Sequence, residues 1–383
     1  MSQPAVIFGG PSLEHDVSIL TGLQAARVLA GSGREPIVLY WTEVNSWYRV
    51  PSGLEADAFL EGVPSGARPV VLELGGREPG FYEGRSMGRR SRIDISAAVV
   101  CCHGGPGEDG RLQGLLDLAG VPYTGPNAAC ATLTMDKLAF GALMVSAGLP
   151  ALPRVPWSAS SQEPEFPAPY IVKPRFGGSS IGIEIVNDVE TARHLAQSSP
   201  LLQRGAVLEP YREGLEDLYI AIRSYPKLQF SLIEAPRPRG SQPVGDGNQI
   251  YGYRQKYLEQ QGAESKASEI PARLPAETAE SMQALAERIA HLTDLTGAAR
   301  LDFLSDGTQV WVNELNSIPG AMAFRLWDES GVKHQQLLSD MLDEALAQPR
   351  ARRAFDPSDR HASERKMQTL QVAGKIAHKL TGG

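Results

Sequence analysis

The chain has 383 residues, of which 42% are hydrophobic, 21% charged and 7% aromatic. This is the usage of a globular protein of two or three domains; it excludes disorder or coiled coil for the chain as a whole, and the length suffices for a core without disulfides or structural metal. The formal net charge of -7 argues against a nucleic-acid footprint, and with no apolar run of about 18 residues no membrane span is expected. The opening Met1-Ser-Gln-Pro shows neither the basic region nor the apolar stretch of a signal peptide, so a soluble, cytoplasmic protein is the expectation. Cys101, Cys102 and Cys130 are too few and too scattered for a disulfide framework. The first two end an apolar run and read as buried small residues, not as a redox pair.

Taken along the chain, Ala5–Phe8 is a short apolar run stopped by Gly9-Gly10. Val17, Leu20, Leu23 and Val28 then recur at helical spacing until Gly31–Gly33. Pro36–Tyr40 and Ile95–Cys102 are further apolar runs, the second followed by the glycine-rich Gly104–Gly110. This rhythm predicts a parallel, doubly wound unit over about residues 1–128, with ligands at the carboxyl edge of its sheet. Residues 149–168 are rich in Pro and Ser and read as a connector. Tyr170–Lys173 and Ile183–Val186 read as strands around the tight turn Gly177–Gly182, and Asn187 is placed to cap a helix carrying Val189, Ala192 and Leu195. Val207–Glu209, Leu218–Arg223 and Leu228–Glu234 read as antiparallel strands. The polar stretch 235–268 has no sustained period, as in a long functional loop. Met282, Leu285, Ile289 and Leu292 mark a long helix, and Ala299–Leu304 with Gln309–Leu315 a hairpin turning at Asp306-Gly307. Leu337, Leu338, Met341, Leu342 and Leu346 mark a last helix, after which the chain turns basic.

Within that hairpin, Glu314 and Asn316 lie two residues apart on one strand and share a face that Asp302 can meet across the ladder. Three oxygen donors on one face suit Mg²⁺, which keeps waters and phosphate oxygens in its remaining positions; a solvated acidic sheet face has the same pattern. The loop Gly177–Gly182 has the glycines and hydroxyls of a phosphate cradle, with Lys173 on the preceding strand as a point charge. A plain hairpin turn reads alike. His103, after a buried strand, is either a donor to phosphate or a satisfied structural group. No zinc or serine-triad spacing is present, and Gly9-Gly10 is not a dinucleotide fingerprint.

Several stretches occur together and in order: Phe8-Gly-Gly-Pro-Ser-Leu-Glu-His-Asp-Val-Ser18, His103-Gly-Gly-Pro-Gly-Glu-Asp-Gly110, Met135-Asp-Lys137, Val172-Lys-Pro174 with Gly178-Ser-Ser-Ile-Gly182, Tyr251-Gly-Tyr-Arg-Gln-Lys-Tyr257, Arg300-Leu-Asp302 and Asn313-Glu-Leu-Asn-Ser-Ile-Pro-Gly320. On these the chain resembles the D-alanine–D-alanine ligases of the ATP-grasp superfamily from about residue 5 to about residue 347. The resemblance implies an α/β and α+β protein: an ATP-grasp fold with an N-terminal Rossmann-like parallel-sheet domain. The implied divisions are a substrate-binding domain over 1–128, a central ATP-grasp subdomain over 129–206, a C-terminal one over 207–349 and a basic tail over 350–383. It implies ATP and Mg²⁺ (or Mn²⁺), two amino-acid substrates, a homodimer, and no nucleic-acid or membrane partner. ATP would phosphorylate the first carboxylate and the amine of a second amino acid would displace phosphate, with the acyl phosphate shielded from water by a closing loop over 235–268.

By the same resemblance, Lys137 and Lys173 match residues that contact ATP, and Glu209 and Glu216 match acidic positions at adenine or ribose. Asp302, Glu314 and Asn316 match magnesium ligands. Glu14 matches the carboxylate that holds the first substrate's ammonium, with Ser179 and Tyr257 as its hydrogen-bonding partners and His103 near that substrate's carboxylate. Lys256 matches a loop lysine that reaches phosphate. Arg300 and the Gly320 amide match the donors that stabilise the tetrahedral intermediate. Three departures stand out. Gly252 replaces the usual Asp, no aromatic residue precedes Pro271-Ala272, and Ala321-Met-Ala-Phe-Arg-Leu-Trp327 is shorter than the family's segment and lacks the hydroxyls that bind the second substrate's carboxylate. Two substitutes are open: Arg325 pairs with that carboxylate, or Met322, Phe324 and Trp327 line a larger apolar acceptor pocket. Tyr257 points to an amide product, D-alanyl-D-alanine or a close analogue; the alternative is an amide or dipeptide ligase of secondary metabolism with a different acceptor.

Overall fold

A computed structural model of the chain describes residues 2–75, 78–84, 90–236 and 268–348. The expected loop with Lys256 and Tyr257, and the basic tail, lie outside the described residues. None of the described helices is long and apolar enough to cross a membrane.

The first sheet is built on β1 (Gln3–Gly9), which runs parallel to β2 (Ile37–Trp41) on one side and β7 (Ile95–Val100) on the other. Residues Ala5–Phe8 are fully buried because helices cover both faces, so the strand needs a continuous apolar run and not an alternating one. Between β1 and β2 passes α1 (His15–Gly31). Val17 and Leu23 are buried as its periodicity predicts, whereas Leu20 is exposed. The helix lies close on β1 because Gly22 has no side chain: a Cβ there would sit 2.3 Å from Phe8.

The parallel core β2-β1-β7 is the unit the sequence predicts, and the full sheet is mixed because further strands extend it. Strands β3 (Trp47–Val50), β4 (Arg68–Glu73), β5 (Gly80–Glu83) and β6 (Ser91–Arg92) extend it as an antiparallel meander in the order β6-β5-β4-β3-β2-β1-β7. The cause is local. Asn45 sits in the left-handed region (φ 63) and Thr42 N–H bonds Ser46 O, closing a tight hairpin where a parallel connection would need a long crossover. Cys101 and Cys102 are fully buried at the end of β7, and burial raises both thiol pKa values.

Four helices not anticipated from the sequence follow: α2 (Gly105–Glu108), α3 (Arg111–Ala119), α4 (Ala128–Met135) and α5 (Lys137–Ser146). The first two start at glycines, Gly104 and Gly110, without a side-chain cap, whereas α4 and α5 are capped by side chains. Asn127 accepts from Cys130 N at 2.8 Å, and Asp136 from Leu138 N and Ala139 N.

The second sheet is antiparallel, in the order β10-β9-β11-β8, from β8 (Val155–Trp157), β9 (Tyr170–Pro174), β10 (Glu184–Val186) and β11 (Ala206–Pro210). The expected connector therefore contains a strand, and a boundary at 206/207 would cut β11. Helix α6 (Val189–Ser198) is capped by Asp188, whose carboxylate accepts from Thr191 N at 2.7 Å, and not by Asn187.

The third sheet, β13-β12-β14-β15, comprises β12 (Glu216–Arg223), β13 (Gln229–Glu234), β14 (Ala298–Ser305) and β15 (Val310–Asn316). Helix α7 (Ala276–Leu292) packs on it through Met282, Ala286 and Ile289, joined by Phe140 and Met144 of α5. Beyond β15 come a turn at Gly320–Ala323, α8 (Phe324–Glu329) and α9 (His334–Ala347). Phe324, Trp327, Leu337, Leu338 and Met341 do not join the third sheet's core; they complete that of the first. Each such large apolar side chain, fully buried, contributes about 1.5–3 kcal/mol.

Candidate active site

The predicted hairpin is β14–β15. Asp302 and Glu314 are direct cross-strand partners, as are Arg300 and Asn316, with a bulge just after Asp302. The period of two brings Arg300 and Asp302 together, and the guanidinium grips the buried carboxylate in a fork at 2.7 and 2.8 Å. The Arg300 guanidinium also lies over the Tyr219 ring, 4.3 Å from its centroid.

Two cavities meet at this hairpin and share Lys137, Gly177, Gly178 and Glu314 in their walls. The outer one is the larger of the two, about 150 Å³ against about 40 Å³ for the inner. Its lining combines the apolar Ile171, Ile183, Leu215 and Leu304 with the charged Lys137, Lys173, Asp302 and Glu314. Apolar side chains together with cations and carboxylates suit a base and metal-bound phosphates.

Lys173 on β9 and Glu209 on β11 are diagonal neighbours on adjacent strands, Lys173 standing opposite Val207 and Glu209 opposite Ile171. Their charges lie 2.7 Å apart, and Arg154 Nε approaches the same Glu209 oxygen to 2.5 Å. Burial pushes the Lys173 ammonium down to about 8, against the pull of Glu209. Burial would raise the Glu209 carboxyl, but Arg154 and Lys173 outweigh it and hold its pKa below the ordinary value. Glu209 is thus already paired within the protein. Glu216 does not line the outer cavity; its neighbours Leu215 and Asp217 do.

The inner cavity is enclosed by Glu14, His103, Glu108, Arg300, Asn316 and Gly320, among others. Glu14 caps the start of α1 yet is not a solvated surface charge, being only 7% exposed. Its carboxylate accepts a hydrogen bond from the Ser179 hydroxyl. Ser179 and Ser180 hold left-handed backbone (φ 54 and 58), a conformation that costs energy in a non-glycine residue and here turns a hydroxyl onto Glu14. Gly104 and Gly178 crowd the same carboxylate: a Cβ on either would come within 3 Å of it. The glycines of both motifs are where close approach demands them.

His103 lies in the wall, but both its ring nitrogens are engaged. Nδ1 is 2.9 Å from the Ile318 carbonyl and so must carry the proton, leaving Nε2 to accept from the Thr21 hydroxyl at 2.8 Å. Burial drives its pKa down to about 4, with Arg300 adding to the effect, so the ring is neutral at pH 7. Thr21 in turn accepts from Ala321 N–H at 3.0 Å. Glu108 completes this clamp, its two oxygens accepting from Gly104 N–H (2.9 Å) and Ile318 N–H (3.1 Å). Burial and then the proximity of Glu14 raise the Glu108 pKa to about 8, outweighing those two donors. Glu108 stood inside the His103–Gly110 motif and was legible there; Thr21, Arg154 and Asp217 carried no motif at all.

The segment after Gly320 corrects both expectations for the acceptor. Ala321, Met322 and Ala323 form a left-handed turn (φ 47, 51 and 52), at about 1–2 kcal/mol per residue. That turn sends Met322, Phe324 and Trp327 into the core, at most 2% exposed, and they line neither of the two cavities. Arg325 points elsewhere as well: it pairs with Glu234 at 3.0 Å and with the Ser268 hydroxyl, and does not line the inner cavity.

Asp302, Glu314 and Asn316 supply two carboxylates and one amide on paired strands, a hard-oxygen set that fits Mg²⁺. Among the described residues no three His, Cys, Asp or Glu side chains gather, since the third member is an amide. The buried Asn316 Nδ2 has no hydrogen-bond partner among the described residues.

Comparison with known proteins agrees with this geometry. Residues 3–126 match the family model described as the D-ala D-ala ligase N-terminus, and residues 156–343 match the D-ala D-ala ligase C-terminus. The chain is 31% identical to the D-alanine–D-alanine ligase of Nocardia farcinica, over 90% of this chain and 96% of that one. It is 32% identical to that of Mycolicibacterium gilvum, with the same coverage of 90% and 96%. In fold it resembles the crystal structure of the D-alanine–D-alanine ligase from Helicobacter pylori (TM-score 0.69, 21% identity, 91% of this chain and 99% of that one). The VanG D-Ala:D-Ser ligase from Enterococcus faecalis is similar at TM-score 0.70 and 24% identity, over 90% and 99%. The chain belongs to the D-alanine–D-alanine ligase family, ATP-grasp enzymes that use ATP to form a C–N bond.

Proposed function

We propose that the chain joins two amino acids, D-alanine or close analogues, at the expense of ATP. The observation that carries this is the shared wall of the two cavities: the outer one, with Lys173 and Asp302 in its lining, meets at Lys137, Gly178 and Glu314 the cavity lined by Glu14 and Arg300. A carboxylate bound inside would face a terminal phosphate bound outside, as phosphoryl transfer requires.

Glu14, held by Ser179, takes the ammonium of the first amino acid. Lys137 and Lys173 receive the phosphates. The first carboxylate displaces ADP from the γ-phosphorus, giving an acyl phosphate. The amine of the second amino acid adds to the acyl carbon, loses a proton and expels phosphate. Arg300 and the Gly320 amide, both in the wall of the inner cavity, would stabilise the oxyanion of that tetrahedral intermediate. Asp302, Glu314 and Asn316 are the residues that would hold Mg²⁺, whose charge offsets that of the phosphates.

A second reading concerns only the acceptor. Arg325 is engaged with Glu234, and residues 321–327 bring no hydroxyl, which favours an acceptor recognised differently from D-alanine. One assay tests both: phosphate release from ATP with amino-acid pairs, products identified by mass spectrometry. D-alanyl-D-alanine as product supports the main reading. Turnover with another amine and none with D-alanine selects the second, and phosphate release with no pair tested would sink both.

A further inference from the structure

Arg154 lines neither cavity, yet its buried guanidinium joins the elements that make the nucleotide cleft. Nη1 donates to the Lys137 carbonyl at the start of α5 (3.1 Å). Nη2 donates to the Asn313 carbonyl (2.5 Å) and Oδ1 (3.0 Å) on β15, while Nε lies 2.5 Å from Glu209 on β11. One planar fork thus ties the second sheet to the third behind the cleft. The fit is close: a Cβ on Gly141 of α5 would lie 2.7 Å from Arg154 Cδ, so the side chain passes only because that position is glycine.

The charges matter as much as the contacts. A Lys173–Glu209 pair alone would be neutral. With Arg154 the cluster holds two cations against one carboxylate, and the three side chains are only 3%, 6% and 2% exposed for Arg154, Lys173 and Glu209. A buried cluster with one surplus positive charge is unfavourable until an anion joins it. Of its two cations, Lys173 lines the cavity and Arg154 does not.

We propose that Arg154 is a positioning residue for the nucleotide: by pairing with Glu209 from behind, it leaves the Lys173 charge unspent for the phosphates of ATP. The proposal rests on the assignment of Lys173 to nucleotide binding made above. The charged groups around Lys173 are Glu209 from β11, Arg154 from the segment before β8 and Lys137 from α5, with Asp217, Asp302 and Glu314 in the same cavity wall. Burial, Arg154 and Lys137 together keep the Lys173 pKa at about 8 in spite of Glu209. Affinity for ATP therefore falls as pH rises through that value, and removing Arg154 moves the midpoint upward because Glu209 then pairs with Lys173 alone.

The test is calorimetric titration of the full chain with ATP across pH, alongside steady-state kinetics. Arg154→Met should weaken ATP binding about ten- to a hundredfold, the worth of a charged hydrogen-bonded contact, and raise the pH midpoint. It should change the amino-acid constants less than about twofold. Arg154→Lys, which keeps the charge, should keep the midpoint. In a Glu209→Gln background Arg154→Met should cost less than about twofold, since the charge it neutralises is gone. A folded Arg154→Met protein with unchanged ATP affinity and midpoint overturns the proposal, even if its melting temperature falls. Should that variant fail to fold, Arg154→Met/Glu209→Gln decides: a large loss of ATP affinity relative to Glu209→Gln alone overturns it. Lys173→Met separates the two assignments. If it leaves ATP binding intact, the nucleotide role of Lys173 fails and the proposal with it; if it weakens binding while Arg154→Met does not, the role of Arg154 alone fails.

Discussion

Replacing Gly178 by alanine perturbs the site at Glu14. The backbone of Gly178 is outside the left-handed region, so alanine fits it without strain. Its methyl carbon, however, would stand 2.9 Å from Glu14 Oε2 and 3.0 Å from Oε1. Non-bonded contact needs about 3.5 Å or more, so the carboxylate must retreat by several tenths of an ångström. Glu14 cannot retreat while keeping both the Ser179 hydroxyl and a substrate ammonium at hydrogen-bond distance. One charge-assisted hydrogen bond is worth about 1.5–3 kcal/mol, so the Michaelis constant of the first amino acid should rise about ten- to a hundredfold. A glycine-to-alanine change at a compatible backbone position otherwise stabilises by about 0.4–1 kcal/mol through the unfolded chain, so the melting temperature should hold. The assay is phosphate release with ATP and the first amino acid varied separately, with thermal unfolding measured in parallel. An unchanged constant for the first amino acid in the folded variant would refute the placement of the ammonium at Glu14.

Three further outcomes are expected. Glu314→Gln should lower phosphate release by about 10²–10³ without loss of folding, the cost of removing one electrostatic element from a phosphoryl-transfer site; wild-type turnover at saturating Mg²⁺ would remove the metal assignment. Arg325→Ala should leave both amino-acid constants unchanged, because its guanidinium serves Glu234 and Ser268; a tenfold rise for the second amino acid alone would restore the carboxylate clamp. Glu108 has a folded pKa of about 8, above its unfolded value, so it binds more protons folded than unfolded between about pH 4.5 and 8. Its contribution to stability is complete below that window and lost as pH rises through 8. Glu108→Gln should therefore gain stability relative to wild type from pH 5 to pH 8 in chemical denaturation, and a constant difference across that range would contradict the raised pKa.

What the sequence made legible was short-range. The facing of Asp302 and Glu314 followed from a period of two and an Asp-Gly turn, and the pairing of β14 with β15 has that register. The close approaches at Gly104 and Gly178 followed from glycine-rich loops a few residues beyond strands. The antiparallel meander was less legible because β3 and β4 are only partly buried and carry arginines that weaken any alternation, as at Arg49 and Arg68. Helices α3 to α5 went unread because glycines and threonines interrupt their apolar spacing, at Gly114, Thr132 and Gly141. Arg154 was invisible for another reason: a single arginine among prolines has no period, and its partners are Lys137, Glu209 and Asn313, brought together only by the packing of two sheets. The direction of Arg325 depended likewise on a left-handed turn of alanines and methionine that no local preference favours.

The docking of α8 and α9 on the first sheet bears on how the chain is made. Trp327, Leu337, Leu338 and Met341 supply the interior of a domain whose strands all lie before residue 101. That domain cannot close its interior while the ribosome is still synthesising the middle of the chain. Its strands must wait, partly uncovered, for helices encoded more than 200 residues later. A fragment ending near residue 128 should accordingly need a chaperone or a separately supplied C-terminal half to stay in solution, and the intact chain should lose its first sheet and last helices in a single unfolding step.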